Sequence, residues 1–431
     1  MLADSVGPQR AQTVLDALAA PASVSLRLNP DKPFSPLPEG RPVPWSPHGL
    51  LLGSRPQFTL DPFLHAGAYY VQDSSAMMPG EVFRRFLPSA DRPPRVLDLC
   101  AAPGGKSTDL ASSLRQRCGD GFLLVANEVV RSRATVLADN LARWGDPCVV
   151  VTSVDPEAFS SLEGFFDVIL ADVPCSGEGM FRKDSKAVED WSPQNVALCQ
   201  ARQRRIIADV WPALAPGGVL VYSTCTFNRM ENGDNVDWIA RTLGADILPL
   251  EERDGAVSDG FGLMMLPGLV PGEGQYCAAL RKNGGREFSL KSAKTAPSGP
   301  YKQLFDRPVD VAKRGETWVA EPSAIRSELQ AVRFLRPLRT GVAIGVEKGR
   351  DLVPDADLAL SLALEPEAFA REEVSRDIAL SFLHRDAIVL PDAPAGLVMV
   401  CHGGLPLGFV KNLGKRCNNL LPAGRRIRMD I

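Results

Sequence analysis

Residues 95–109 read RVLDLCAAPGGKSTD. Val96, Leu97 and Leu99 make a short apolar run, and Ala101, Ala102, Pro103, Gly104 and Gly105 follow at once. A buried parallel strand reads as a continuous apolar run, and a turn of small residues lets it feed a helix tightly. Gly104 and Gly105 lack a Cβ, so the backbone there can take positive φ and lie against a bound group. The amides from Gly105 to Thr108 then open a helix whose N-terminus favours negative charge. The pattern is neither GxGxxG nor GxxxxGK followed by Ser or Thr, so it is not one of the two common phosphate-binding turns. The glycines alone suit any tight strand-to-helix turn. Regularly spaced units downstream narrow the choice.

Working outward, the spacing predicts repeated strand–helix units. An apolar stretch at 122–126 ends in Asn127-Glu128, and Val130, Ala134, Leu137, Leu141 and Trp144 follow at helical spacing before Gly145. A third strand at 148–151 ends near Asp155, and a fourth at 166–171 ends in Asp172-Val173-Pro174-Cys175. A helix at 196–210 runs into Pro212. Gly217-Gly218 then opens a fifth strand at 219–222, ending at Ser223-Thr224-Cys225. Units of this length imply an α/β fold, a Rossmann-like parallel sheet with helices on both faces. Ligands in such sheets lie beyond the carboxyl ends of the strands. The glycine turn, Glu128, Asp155, Asp172, Cys175 and Cys225 are thereby expected on one rim.

Toward the N-terminus, residues 9–20 have helical spacing, 24–28 alternate as a strand, 30–47 are loop by their prolines, and 74–86 place Met77, Met78, Val82 and Phe86 on one helical face. Residues 281–300 are rich in Gly, Ser and Lys and read as a linker, and short apolar segments beyond it suggest a small α+β or barrel-like part. Residues 411–428 carry six basic and no acidic side chains, against a net charge of −3 for all 431 residues. Nucleic-acid binding must therefore come from local patches. The nine cysteines form no CxxC pair, which suggests neither a disulfide frame nor a metal site. No run of ~18 apolar residues and no leader pattern occurs, so a cytoplasmic protein without a membrane association is expected.

The rim residues suggest a chemistry. A carboxylate after the second strand, about 20 residues past the glycine turn, is placed to accept both hydroxyls of a ribose, which suits Glu128. With hydride transfer and P-loop chemistry disfavoured, S-adenosylmethionine is the natural ligand, and Arg133 can assist there. Two cysteines at strand ends fit methylation of cytosine. Carbon 5 of that ring is a poor nucleophile until a thiolate adds to carbon 6. An acid near N3 assists the addition, a place open to Asp172, and a base must later remove the carbon-5 proton. The residue types leave open which sulfur attacks.

LDLCAAPGGKST (97–108), DVPCSGEGMFRKD (172–184) and YSTCTFNRMENGDNV (222–236) together resemble the Nol–Nop–Sun family of S-adenosylmethionine-dependent RNA (cytosine-5)-methyltransferases. SLRLNP (25–30) and AYYVQDSSAMMPGEV (68–82) extend the resemblance upstream. RTGVAIGVEKGRDLVPDADLALSL (339–362) and PLGFVKNLGKRCNN (406–419) resemble the C-terminal RNA-binding region of its bacterial rRNA branch. The resemblance implies Cys225 as nucleophile and Cys175 as the residue assisting product release. It also implies that Cys100, Ala101, Ala102, Pro103, Gly104, Gly105, Lys106, Glu128, Asp155 and Asp172 line the cofactor site. The expected organisation is an N-terminal RNA-binding-like module (1–90), a methyltransferase domain (91–282), a linker (283–300) and a PUA-like region (301–431). Phosphate contacts are expected from Lys411, Lys415 and Arg416. Small-subunit rRNA, bare or within a ribosomal particle, is the expected substrate of a monomer that needs no metal; the alternatives are tRNA or a non-catalytic role in ribosome assembly. The family's aromatic, histidine-bearing segment before the last sheet strand is replaced here by LPGLVPGEGQYCAALRK (266–282).

Overall fold

The apolar run that opens residues 95–109 forms β1 (Arg95–Asp98), buried along its whole length. The computed structural model describes residues 2–89, 91–294 and 299–431. Around β1 a sheet is built from β2 (Leu123–Asn127), β3 (Val149–Thr152), β4 (Phe166–Asp172), β5 (Leu214–Thr224), β6 (Ala245–Leu248), β7 (Val257–Ser258), β8 (Leu263–Met265) and β9 (Gln275–Lys282). Its order is β7-β8-β9-β5-β4-β1-β2-β3, with β6 also pairing with β9. β1 to β5 run parallel, and β9 is antiparallel to β5. Strands β2 and β3 are buried on both faces, as their unbroken apolar runs require. The strand order switches direction across the sheet between β1 and β4, the place where ligands lie in such sheets. The sheet is the expected Rossmann-like α/β arrangement.

Two readings from the sequence need adjustment. Gly217-Gly218 was expected to open the fifth strand, but β5 begins at Leu214. Phe166 pairs with Leu214 and Val168 with Val219, so the glycines fill an irregularity within the strand, with Gly217 at φ 73°. Arg281 and Lys282 belong to β9 and not to a linker. Beyond them, the Phe288 ring stands edge-on to Phe165 with centroids 4.9 Å apart. A side chain on Gly164 would meet the Arg286 carbonyl at 1.9 Å. This stretch is therefore laid against the sheet. Residues 295–298 of the expected linker lie outside the described residues.

The N-terminal part holds a helix, Pro8–Leu18, and an antiparallel sheet of Gly40–Pro42, Gly49–Leu52, Val24–Leu28 and Tyr69–Val71. The first of these strands lies within the stretch read as loop. Past residue 300 come two four-stranded sheets. One is an antiparallel set: Val309–Arg314, Thr317–Pro322, Val342–Lys348 and Asp351–Pro354. The other pairs Ala370–Glu373, Gly396–His402, Leu405–Asn412 and Cys417–Asn419. The segment between Arg333 and Thr340 joins this half to the central sheet: Leu338 N–H donates to the Val151 carbonyl at 2.8 Å, and Val151 N–H donates to the Arg339 carbonyl at 2.9 Å. Among the described residues no helix is long and apolar enough to cross a membrane.

Candidate active site

The glycine turn is set by its backbone. Gly104 has φ 116° and precedes the helix Gly105–Cys118. Arg27, fully buried on the N-terminal sheet, donates to the Gly105 carbonyl at 3.0 Å and to the Gln72 side chain at 2.9 Å, and it also bonds Thr108. The N-terminal part thus clamps the turn from one side. On the other, Asn140 donates to the Pro103 carbonyl at 2.8 Å and Arg133 to the Ala102 carbonyl at 3.1 Å. Arg133 also pairs with Glu128 at 3.2 Å, and the other Glu128 oxygen accepts the Val130 amide at 2.9 Å. The structure brings Glu128, Arg133 and residues 100–106 together. Ala101 is buried and Cys100 half-buried, its thiol pushed up by burial and by nearby carboxylates. Asp155 stands apart from this group: half exposed, it accepts the Glu157 amide and pairs with Arg205 at 3.6 Å.

Asp98, which the sequence reading did not single out, ends β1 directly before the turn. One oxygen accepts the Ser107 hydroxyl at 2.6 Å, and the other is buried without a partner among the described residues. Burial pushes its carboxyl up to about 7. A buried acceptor lacking a donor, beside a glycine turn and with a second carboxylate at the end of the neighbouring strand, suits a ligand with a cationic amino-acid end and a ribose. The donor set therefore fits S-adenosylmethionine.

The two sulfurs, of Cys175 and Cys225, extend from the ends of β4 and β5, with Sγ atoms 3.1 Å apart. The hydrogen bond to Cys225, then burial, raises the Cys175 thiol well above its ordinary value. Lys106 donates to Asp172 at 2.8 Å. Burial works against the Lys106 ammonium, yet Asp172, together with Cys225 and Asp98 nearby, holds its pKa above lysine's usual value. The Lys106 ammonium thus stands near the Cys225 sulfur. The other Asp172 oxygen accepts Ser223 at 2.9 Å and Gln275 at 3.0 Å. Gln275 comes from the segment where the sequence departs from the resemblance.

Beneath the sulfurs, two buried acids hold both loops. Glu231 accepts the Ser176 amide at 3.0 Å, Gln203 at 2.7 Å and Asn228 at 2.7 Å. Burial raises its carboxyl and these donors pull it back. Glu178 accepts the Phe227 amide at 2.7 Å and Trp191 at 3.1 Å. The Gly179 amide donates to the Cys225 carbonyl at 2.8 Å. Each acid thus ties the Cys175 loop to the Cys225 loop. Only their place in the quoted motifs hinted at this work. Of the expected phosphate contacts, Lys415 and Arg416 are exposed and Lys411 pairs with Asp351 at 3.5 Å. They lie on the last sheet and its following turn, apart from the rim.

Comparison with known proteins agrees with this arrangement. Residues 88–281 match the family model of the 16S rRNA methyltransferase RsmB/F, residues 3–74 the N-terminal domain of 16S rRNA methyltransferase RsmF, and residues 370–427 the methyltransferase RsmF PUA domain. Ribosomal RNA small subunit methyltransferase F of Serratia proteamaculans (strain 568) is 32% identical over 417 residues, spanning 88% of this chain and 84% of that protein. The protein of the same name from Cronobacter sakazakii (strain ATCC BAA-894) is 33% identical over 422 residues, spanning 88% and 83%. Among solved structures, a methyltransferase homolog protein from Pyrococcus horikoshii is 26% identical with a TM-score of 0.54, over 65% of this chain and 93% of that one. The chain belongs to the RsmB/F family of 16S rRNA methyltransferases, and S-adenosylmethionine is its cofactor.

Proposed function

We propose that this rRNA methyltransferase modifies carbon 5 of a cytosine through a covalent enzyme–RNA adduct. The observation that carries this reading is the sulfur pair, Cys175 and Cys225, 3.1 Å apart at adjacent strand ends beside Lys106. Bound S-adenosylmethionine supplies an electrophilic sulfonium methyl group. Cys225, as its thiolate, adds to carbon 6 of the ring and makes carbon 5 nucleophilic. Asp172, fixed by Lys106, Ser223 and Gln275, is proposed as the acid that protonates ring N3 as the thiolate adds and takes that proton back when Cys225 is expelled. After methylation the carbon-5 proton must leave before Cys225 can be expelled. Cys175 is proposed to take this proton as a thiolate, having first released its own proton to solvent, which leaves Cys225 free to depart. Asp155 is proposed at the outer edge of the cofactor site. The parts at 1–90 and 301–431 are proposed to hold the RNA, with Lys411, Lys415 and Arg416 on its phosphates. The thiol pair and the intact turn weigh against a purely structural role in ribosome assembly.

The two sulfurs are separable by experiment. Cys225→Ala should abolish turnover and form no adduct. Cys175→Ala should accumulate a protein–RNA species, seen as a slow band on a denaturing gel and labelled by tritiated cofactor. The double variant should show no band. A band with Cys225→Ala alone reverses the roles, and full activity in both single variants removes the covalent route.

A further inference from the structure

A cavity of about 650 Å³ lies away from the rim, between the helix Arg131–Trp144 of the methyltransferase sheet and the sheet that starts at Val309. Its volume is in the range of small-ligand sites. The matched family models end at residue 281 and resume at 370, so the sheet lining this cavity falls between them. Five guanidinium groups line it, from Arg314, Arg333, Arg336, Arg339 and Arg425. Four carboxylates face them, from Asp139, Glu321, Asp355 and Asp357.

The pairing among these groups is incomplete. Glu321 is shared by Arg314 at 3.3 Å and Arg333 at 2.8 Å, and Asp357 by Arg339 at 3.5 Å and Arg425 at 2.6 Å. Arg339 and Arg425 each keep a buried Nη1 with no acceptor among the described residues. Burial, and the Asp357 charge beside it, push the Asp355 carboxyl up. Arg336 is exposed, with no ion pair among the described residues, and holds φ 51° directly before Pro337. A residue before proline rarely takes a helical conformation, and a left-handed one is strained for any side chain other than glycine's. Strain of this kind concentrates where a side chain must be presented in a fixed direction. Two positions earlier Phe334 is 52% exposed, flanked in the chain by Arg333.

Surplus guanidinium donors around a cavity, with a solvent-facing aromatic ring on the same turn of chain as Arg333 and Arg336, match the two needs of a single-stranded nucleotide: an anion partner for its phosphate and a platform for its base. We propose that this cavity and Phe334 form an RNA-binding site, with Arg336 on a backbone phosphate at the mouth and Phe334 stacked on the adjoining base. The site deepens the rRNA-methylation reading and rests on it. It places a contact on the sheet between the methyltransferase and PUA portions, away from the reacting cytosine.

The test uses the full chain and a short, unstructured single-stranded oligoribonucleotide, with affinity read by fluorescence anisotropy over a salt series. Both side chains are exposed, so Phe334→Ala and Arg336→Ala should fold; an unchanged dissociation constant for S-adenosylmethionine checks this. Phe334→Ala should weaken RNA binding about 5-fold or more, the lower end of what one stacked base contributes. Arg336→Ala should weaken it and lower the salt slope by about 0.7, one phosphate's worth on a single strand. Unchanged RNA affinity and slope in both variants overturn the proposal. If only Arg336→Ala has an effect, the cavity takes a phosphate group without a stacked base, and the proposal fails as stated. If the variants bind naked RNA normally but lose affinity for the assembled small subunit, the surface meets a ribosomal protein and the RNA assignment falls. Methylation of 16S rRNA by the unaltered protein, measured alongside, separates failure of this site from failure of the reading beneath it.

Discussion

The rim and the arginine-lined cavity solve the same problem, burying charge, in opposite ways. Around the sulfurs, acids are saturated by donors: Asp172 receives Lys106, Ser223 and Gln275, and Glu231 receives Ser176, Gln203 and Asn228. In the cavity the guanidinium groups compete for acids, with Glu321 and Asp357 each serving two. A saturated network is rigid and holds reacting groups at fixed distances. An undersaturated one leaves an electrostatic demand that a ligand can meet. The chemistry and the grip on the substrate are thus assigned to regions with different degrees of internal satisfaction.

The comparison is broken most severely by removing a hub from the saturated side. Glu231→Ala strands buried donors on three residues and should cost about 3–5 kcal/mol of stability. A urea titration of the full chain checks this, and a cost under ~1 kcal/mol would show that the network is not a unit. Glu128→Ala comes next. Losing a buried charged acceptor for two hydroxyls should weaken S-adenosylmethionine by about 2–4 kcal/mol, measured by calorimetry; an unchanged dissociation constant removes Glu128 from the ribose.

Asp98 sharpens the contrast, because it is a rim acid left with a free oxygen. Its folded carboxyl keeps a proton up to about pH 7, whereas an unfolded aspartate loses it near 4. The folded state therefore binds more protons in that window, and the stability this gives at low pH is lost as pH rises toward 7. Asp98→Asn cannot titrate. The Tm advantage of the unaltered protein over this variant should shrink from pH 5 to pH 8, by the equivalent of about 1–2 kcal/mol. A constant difference would show that Asp98 is ionised throughout. The smallest effect is expected from the tail. Replacing Lys411, Lys415 and Arg416 together should lower the salt slope of RNA binding by about 0.7–0.9 for each phosphate no longer held, with cofactor affinity unmoved. No change in slope would make this segment a solvated face.

The rim was legible in the sequence because its residues sit at strand ends, where the apolar runs stop. Gln275 was not legible. It reaches Asp172 from 103 residues away, on a strand whose preceding segment lacks the family's aromatic character. Glu231 and Glu178 stood inside quoted motifs, but tying two loops together is a property of the fold and no spacing shows it. The basic run at 411–428 misled in part. Arg425 looks in sequence like its neighbours, yet its guanidinium is committed to Asp139 and Asp357, acids 286 and 68 residues away. A count of charges along a chain cannot tell a solvated cation from one that locks two regions together. The glycine pair before the fifth strand misled for a simpler reason. Glycine marks a strand boundary and an interior irregularity with the same letters.

The short pairing of Leu338 and Arg339 with Val151 has a consequence for solubility. β3 is the last strand on its side of the sheet, and an outermost strand offers its unpaired amides and carbonyls to any other extended chain. Both backbone groups of Val151 are taken by residues 338 and 339, so the segment acts as a built-in cover against edge-to-edge association. A methyltransferase part cut after residue 282 would lose that cover while keeping an apolar β3. Self-association, ahead of any loss of the reacting groups, is the fault to look for in such a fragment.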